Sequence, residues 1–255
     1  MSLGKKKILI FIISYKASHR VRDVFKKIPF RKLKKYNIHT LISDDKSDDD
    51  TSFYIKEIKN KSKNVYTNIN KKNLGYGKHI KQCLTFALKK NFDHAVMIHG
   101  DGQYDPKYIP SLLKILTKDK NIGATTGSRM LKSKKKVIKG GMPFYKLMGN
   151  IILTNFFNLL MNTNYTDTHT GLWAYNLSLL KNKRFNLLTN TFNFDQEFRV
   201  KNILEKKLIK EIPIKIKYGD ERSQLHILYA IKFFFNNILY FLIKKNIIGS
   251  KKFKF

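Results

Sequence analysis

Apolar residues along the first half of this chain recur in two alternating rhythms. Short β-favouring runs, Ile8-Leu9-Ile10-Phe11-Ile12-Ile13, Thr40-Leu41-Ile42, Val65-Tyr66, Ala95-Val96-Met97-Ile98 and Ile122-Gly123-Ala124-Thr125-Thr126, predict strands. The longer of these runs do not alternate with polar residues, the signature of strands covered on both faces. Between them, helices are predicted over 20–28, 52–60 and 78–90. After Pro106, the apolar positions Ile109, Leu112, Leu113 and Leu116 follow the i, i+3, i+4, i+7 spacing of one more helix. Alternation of this kind specifies an α/β fold with a mostly parallel sheet and helices on both faces.

Past Arg129 the rhythm changes. Lys132-Ser133-Lys134-Lys135-Lys136 and Gly140-Gly141 predict a mobile basic loop, followed by a helix over 144–161 and the segment Thr168-His169-Thr170-Gly171-Leu172-Trp173-Ala174-Tyr175. A helix beginning near Asp195, a strand over 212–216 and a long aromatic-aliphatic helix over 225–243 complete the pattern. No repeat or interdomain linker interrupts it, so one domain is expected over 5–224, with a C-terminal aromatic and basic helix and tail over 225–255.

Composition narrows the partners. A chain of 255 residues with 42% hydrophobic content can bury a sizeable core. A single cysteine, Cys83, excludes an internal disulfide framework and a thiolate metal cluster. The net charge of +33 suggests nucleic acid or an anionic membrane surface. The excess is nearly all lysine, however, and accompanies many Asn, Ile and Phe residues, as a biased coding composition also produces. No basic recognition helix or aromatic-basic motif stands out, and the acids cluster at 44–50 and 101–105, so nucleic acid is not the expected partner. The apolar run at 8–13 is too short and wrongly flanked for a secretory signal, and the start reads as cytoplasmic.

The densest chemistry follows the fourth predicted strand, in His99-Gly100-Asp101-Gly102-Gln103. In an open α/β sheet, ligands gather beyond the carboxyl ends of the strands. If strand geometry persists, His99, Asp101 and Gln103 leave on one face and present a carboxylate, an amide and an imidazole to a hard cation. Such a site, with open positions, suits a diphosphate. The other reading of the same residues is an Asp-Gly turn before a Pro-initiated helix.

Taken in order, Asp44-Asp45-Lys46-Ser47, Asn73-Leu74-Gly75-Tyr76-Gly77, His99-Gly100-Asp101-Gly102-Gln103, Gly127-Ser128-Arg129 and Thr170-Gly171-Leu172 with Ala174-Tyr175 resemble the family-2 inverting glycosyltransferases of the GT-A fold. Within that family the nearest branch is the dolichyl- or polyprenyl-phosphate sugar synthases. The resemblance implies a UDP- or GDP-sugar donor, Mg²⁺ or Mn²⁺, and transfer with inversion, most naturally to a polyprenyl phosphate. It implies that Asp44 or Asp45 reads the base, with Tyr15, Gly75, Gly77, Lys78 and Asp101 also at the donor, and that Asp101, Gln103 and His99 hold the metal. Histidine stands where the family usually has the first acid of Asp-x-Asp, and imidazole suits Mn²⁺ better than Mg²⁺. Asp48, Asp49 and Asp50 read instead as caps of the next helix.

The mechanism turns on the acceptor. A lipid phosphate is already ionised and needs converging cations, for which Arg129 is the first candidate, with Lys139 and Arg222 behind it. A saccharide hydroxyl needs a carboxylate base, and Asp195 or Glu197 supplies it. These two acids also suit a helix start, where Asn193 and Gln196 can form a capping box. Asp167 is placed to shape the acceptor pocket. The helix over 225–243, with Lys232, Asn236 and Asn237 near its middle, is expected to lie on a membrane interface, on the catalytic domain or across a homodimer, and not to span a bilayer.

Overall fold

A computed structural model describes residues 4–131, 137–138, 141–182 and 184–216. The expected C-terminal helix, the basic loop at 132–136, Lys139 and Arg222 lie outside the described residues.

Seven strands form one sheet: β1 (Lys7–Ser14), β2 (Asn37–Asp44), β3 (Val65–Ile69), β4 (His94–His99), β5 (Ile122–Ser128), β6 (Trp173–Asn176) and β7 (Leu208–Pro213). Their order is β3-β2-β1-β4-β6-β5-β7. Every pairing is parallel except those of β6, which runs antiparallel to both β4 and β5. The helices are α1 (Arg20–Lys26), α2 (Thr51–Asn60), α3 (Tyr76–Lys89), α4 (Ile109–Leu116), α5 (Phe144–Met161) and α6 (Phe194–Leu204).

The unbroken apolar runs have a direct cause. Ile8, Ile10 and Ile12 of β1 join one core with Val21, Ile55 and Leu112 from α1, α2 and α4. Leu9, Phe11 and Ile13, on the opposite side of the same strand, join a second core with Ile80 and Leu84 of α3 and Phe194 and Phe198 of α6. Side chains alternate across a strand, so a strand between two helical layers must be apolar at every position. At 25 cal/mol per Å², each such buried aliphatic side chain stabilises the fold by roughly 1.5–3 kcal/mol.

Register sets the rim where chemistry can happen. Ser14 ends β1 opposite Asp44, and Ile13 lies opposite His99, so the carboxyl ends of β2, β1 and β4 finish side by side. Because β6 is reversed and Trp173 pairs with Met97, it is the residues before β6 that reach this rim, and Gly171 arrives against His99. The sequence pattern left this reversed strand unassigned. The strand expected over 212–216 begins earlier, at Leu208, and its downstream end is reduced to a single bridge between Ile216 and Tyr104.

Candidate active site

The two acids at the end of β2 are both buried and committed to the protein. Asp44 accepts from the backbone N–H and hydroxyl of Ser47. Burial raises its carboxyl above the ordinary range, against those hydrogen bonds. Asp45 Oδ1 accepts from Asn70 Nδ2 and Leu74 N, each at 2.9 Å, and Oδ2 accepts from Gly75 N at 2.9 Å. Asp45 thus fixes the loop that opens α3, where Gly75 adopts φ +79°. Gly77 serves a close approach: a Cβ there would meet backbone atoms of residues 189–191 at 2.7–2.8 Å. Lys78 is exposed, and its backbone N–H donates to Asn190 O. Tyr15 is exposed beside Lys16, which pairs with Asp48. Of the three acids expected as caps, Asp49 accepts from Thr51, whereas Asp50 precedes α2 without a side-chain cap.

Strand geometry ends at His99, so the three expected ligands do not simply alternate along an extended segment. Gly102 takes φ +83°, and Asp101 Oδ1 turns back to accept from Gln103 N at 2.9 Å. Asp101 Oδ2 stays 4.0 Å from His99 Nδ1, on a side chain one-third exposed. The His99 ring sits between Tyr76 and Tyr104, with centroids 5.8 and 5.3 Å away. Its Nε2 is buried beside Gly171, where a Cβ would approach it to 2.6 Å. Burial holds the imidazole below its ordinary pKa, against the opposing pull of Asp101, and keeps it neutral. Among the described residues no three His, Cys, Asp or Glu side chains converge on a metal position. One carboxylate, one amide and one neutral imidazole do fit a cation that takes its remaining oxygens from a diphosphate.

Arg129, expected as a cation facing the acceptor, is closely held. Its Nε and Nη2 meet Asp167 Oδ2 and Oδ1 at 2.6 and 2.8 Å, and Nη2 also donates to His169 O at 2.9 Å. Asp167 therefore acts by fixing Arg129 and the turn that precedes Thr170. The expected capping box at α6 does not form: Asn193 makes no side-chain cap, and Gln196 Nε2 donates to Thr168 O at 2.6 Å. Glu197 is buried, and its Oε2 accepts from Thr189 N at 2.8 Å, tying down the loop that leads into α6.

Asp195 is different. Its Oδ2 accepts from the Tyr76 hydroxyl at 2.7 Å, while the buried Oδ1 has no hydrogen-bond partner among the described residues. Burial pushes the carboxyl up to about 7, with the Tyr76 hydrogen bond and the Arg199 charge opposing it. Tyr76 also stacks on Phe192 and touches His99, so it links the α3 loop, the β4 turn and the start of α6. Sequence reasoning missed Tyr76 as a functional group, although it stands between the two glycines it singled out. It also missed Arg199, one helical turn beyond Asp195, whose guanidinium is fully buried between Tyr165 and Trp173 at 4.5 and 4.8 Å.

Comparison with known proteins bears on the family and the fold. The family model described as Glycosyl transferase family 2 matches residues 9–182. An uncharacterized protein of Methanocaldococcus jannaschii is 32% identical over 161 residues, covering 60% of this chain and 66% of that protein, just under two thirds of its length. Glucosyl-3-phosphoglycerate synthase from Mycobacterium tuberculosis, in complex with Mn²⁺, UDP and phosphoglyceric acid, superposes with a TM-score of 0.62 at 12% identity over 95% of this chain and 78% of that one. The same enzyme with Mg²⁺ and UDP gives 0.63 at 13% identity, over 95% and 79%. These likenesses establish the GT-A fold, a mostly parallel sheet flanked by helices.

Proposed function

The chain belongs to glycosyl transferase family 2; from that premise we propose that it is a nucleotide-sugar-dependent glycosyltransferase that transfers the sugar, with inversion and with a divalent cation, to an acceptor hydroxyl. The observation that carries the acceptor is Asp195, a buried carboxyl poised at about 7 with one oxygen unpartnered. A general base works best when its pKa lies near the operating pH. Asp195 Oδ1 takes the hydroxyl proton as the acceptor oxygen attacks the anomeric carbon. The bond from that carbon to the β-phosphate oxygen breaks on the opposite face, and the nucleoside diphosphate leaves. Tyr76 holds Asp195 through Oδ2 and so aims Oδ1.

On the donor side, Asp101 would be the principal metal ligand, with Gln103 and His99 completing the set, and a divalent cation held there would supply charge neutralisation for a departing diphosphate. Asp44 and Asp45, whose carboxylates are taken up by Ser47, Asn70, Leu74 and Gly75, shape the loops beside the base, with Tyr15, Gly75, Gly77 and Lys78 around the nucleotide. The uridine-bearing complexes of the M. tuberculosis synthase with Mn²⁺ and with Mg²⁺ support a UDP-sugar and either ion, and its phosphoglyceric acid complex supports a small hydroxyl-bearing acceptor.

A polyprenyl phosphate needs no base and calls for converging cations. Arg129, the described candidate, is held by Asp167 instead. The test is a transfer screen across UDP- and GDP-sugars with Mn²⁺ or Mg²⁺, offering simple sugars, phosphoglycerate and a short polyprenyl phosphate. The expected result is metal-dependent transfer to a hydroxyl acceptor that is lost in Asp195→Asn. Transfer to the polyprenyl phosphate that survives Asp195→Asn would overturn the base assignment.

A further inference from the structure

Arg199 lies wholly in the interior, and among the described residues no acid forms an ion pair with it. Its guanidinium sits over the rings of Tyr165 and Trp173, and Nη2 reaches the carbonyl oxygen of Asp167 at 3.4 Å. A charge taken out of water is costly unless opposite charge and hydrogen bonds compensate it, and apolar side chains of similar volume often fill such a space more stably. The buried charge therefore calls for a reason other than packing. Asp195 stands four residues earlier on α6, and residues at i and i+4 share one face of a helix. Phe198 meets both Trp173 and Tyr175 edge-on, which lays this part of α6 along β6 and closes it off from water.

The acids that face Arg199 are Glu211 of β7, Asp167 and Asp195, with Tyr165 and a neutral His169 beside them. Asp167 is paired with Arg129. Glu211 accepts from the backbone N–H groups of Thr166 and Asp167 and from the Thr166 hydroxyl. Among the described residues, Arg129 and Arg199 thus balance Asp167 and Glu211, and Asp195 is the odd acid. Its other titratable neighbours, Tyr76 of α3 and Tyr175 of β6, are buried neutral phenols. Arg199 is the cation set against the ionised form of Asp195.

We propose that Arg199 is a positioning residue that acts through Asp195, its buried charge favouring the ionised carboxylate. Without that charge, burial alone would leave Asp195 protonated well above neutral pH and unable to accept a proton. Glu211 draws on the same guanidinium and so limits how far Arg199 can favour ionised Asp195. The catalytic consequence rests on Asp195 being the base; the electrostatic link between the two side chains does not.

Carbon-13 NMR of the full chain with labelled aspartate carboxyls follows the titration of Asp195 directly, its resonance assigned by its loss in Asp195→Asn. In Arg199→Met, which keeps bulk between the two rings, the midpoint is expected to rise by about one unit, and the ascending limb of kcat/KM to rise with it. Arg199→Lys keeps the charge and is expected to recover most of that shift. Glu211→Gln keeps an acceptor for Thr166 and Asp167 but removes the competing acid, so the midpoint is expected to fall. A midpoint unmoved in Arg199→Met, or raised in both Arg199→Met and Glu211→Gln, overturns the proposal. Should circular dichroism show that Arg199→Met does not fold, a midpoint that fails to fall in Glu211→Gln overturns it. A midpoint that rises in Arg199→Met while the limb of kcat/KM stays in place supports the link and overturns Asp195 as the base.

Discussion

Asp167 and Asp195 are both buried carboxylates, and their environments treat them in opposite ways. Asp167 receives a guanidinium fork from Arg129 and the backbone N–H groups of Arg129 and His169. Burial alone would raise its carboxyl, but Arg129 and these hydrogen bonds together hold it below the ordinary range. Among the described residues Asp195 accepts a hydrogen bond only from a phenol, and burial wins, lifting the group to about 7. A fully compensated buried charge holds structure in place. An incompletely compensated one is kept near neutrality and can exchange a proton at working pH, which is where acid–base chemistry draws its groups.

The contrast is open to direct attack. Asp195→Asn removes the proton acceptor and is expected to lower kcat by about 10²–10⁴-fold, measured under saturating donor and metal. Arg129→Met leaves Asp167 as an uncompensated buried charge and is expected to cost about 3–5 kcal/mol in urea unfolding, with part of the loss recovered when Asp167→Leu is added.

Stability against pH should then separate the two acids by sign. Asp195 is raised from the ordinary value of about 3.9, so the folded state binds the extra proton in that window. The Asp195 contribution to stability therefore falls as pH rises from about 4 through 7, opposite in sign to those of the buried His79, His94 and His169, each lowered to about 4. The stability of wild type relative to Asp195→Asn is expected to fall across this window, with Asp195→Asn the more stable protein at pH 8. Asp167 is lowered, so its contribution is present above about 3.9 and is lost only as pH falls below that value toward its folded pKa. Urea midpoints from pH 3 to pH 8 decide both. A difference between wild type and Asp195→Asn that stays constant with pH would show that Asp195 does not titrate in this window.

The smallest effect is expected at Tyr76. Tyr76→Phe keeps the ring against His99 and Phe192 but removes the hydrogen bond to Asp195 Oδ2. Loss of a donor to the charged form raises the carboxyl further. The ascending limb of kcat/KM should move to higher pH by less than about one unit, with a smaller change near pH 8. An unmoved limb would reduce Tyr76 to packing.

Much of this site was legible in the amino-acid string because its parts sit at strand ends, where an apolar run gives way to polar residues. Asp44, Asp45, His99, Asp101 and Arg129 were all singled out on that signal, and the structure has each of them at or just beyond a strand end. What the string concealed was which of them are already engaged. Asp45 looks like a free reader of a base until Leu74 and Gly75 are seen donating to it. Arg129 looks like a free cation until Asp167, 38 residues away, is seen holding it. Asp195 and Glu197 look equivalent at a helix start, yet Glu197 secures Thr189 while Asp195 keeps an oxygen with no partner among the described residues.

The sequence by itself determined the local facts: which runs are strands, that both faces of the sheet are covered, and which residues punctuate the strand ends. These follow from side-chain periodicity and backbone preference within a few residues. Only the tertiary structure decided the order β3-β2-β1-β4-β6-β5-β7, the reversal of β6 that brings Gly171 to His99, and the distinct environments of two buried acids. A carboxylate's behaviour depends on burial and on its partner. The partner of Asp195 is Tyr76, 119 residues earlier, a contact that exists only once the sheet and its helices have closed around it.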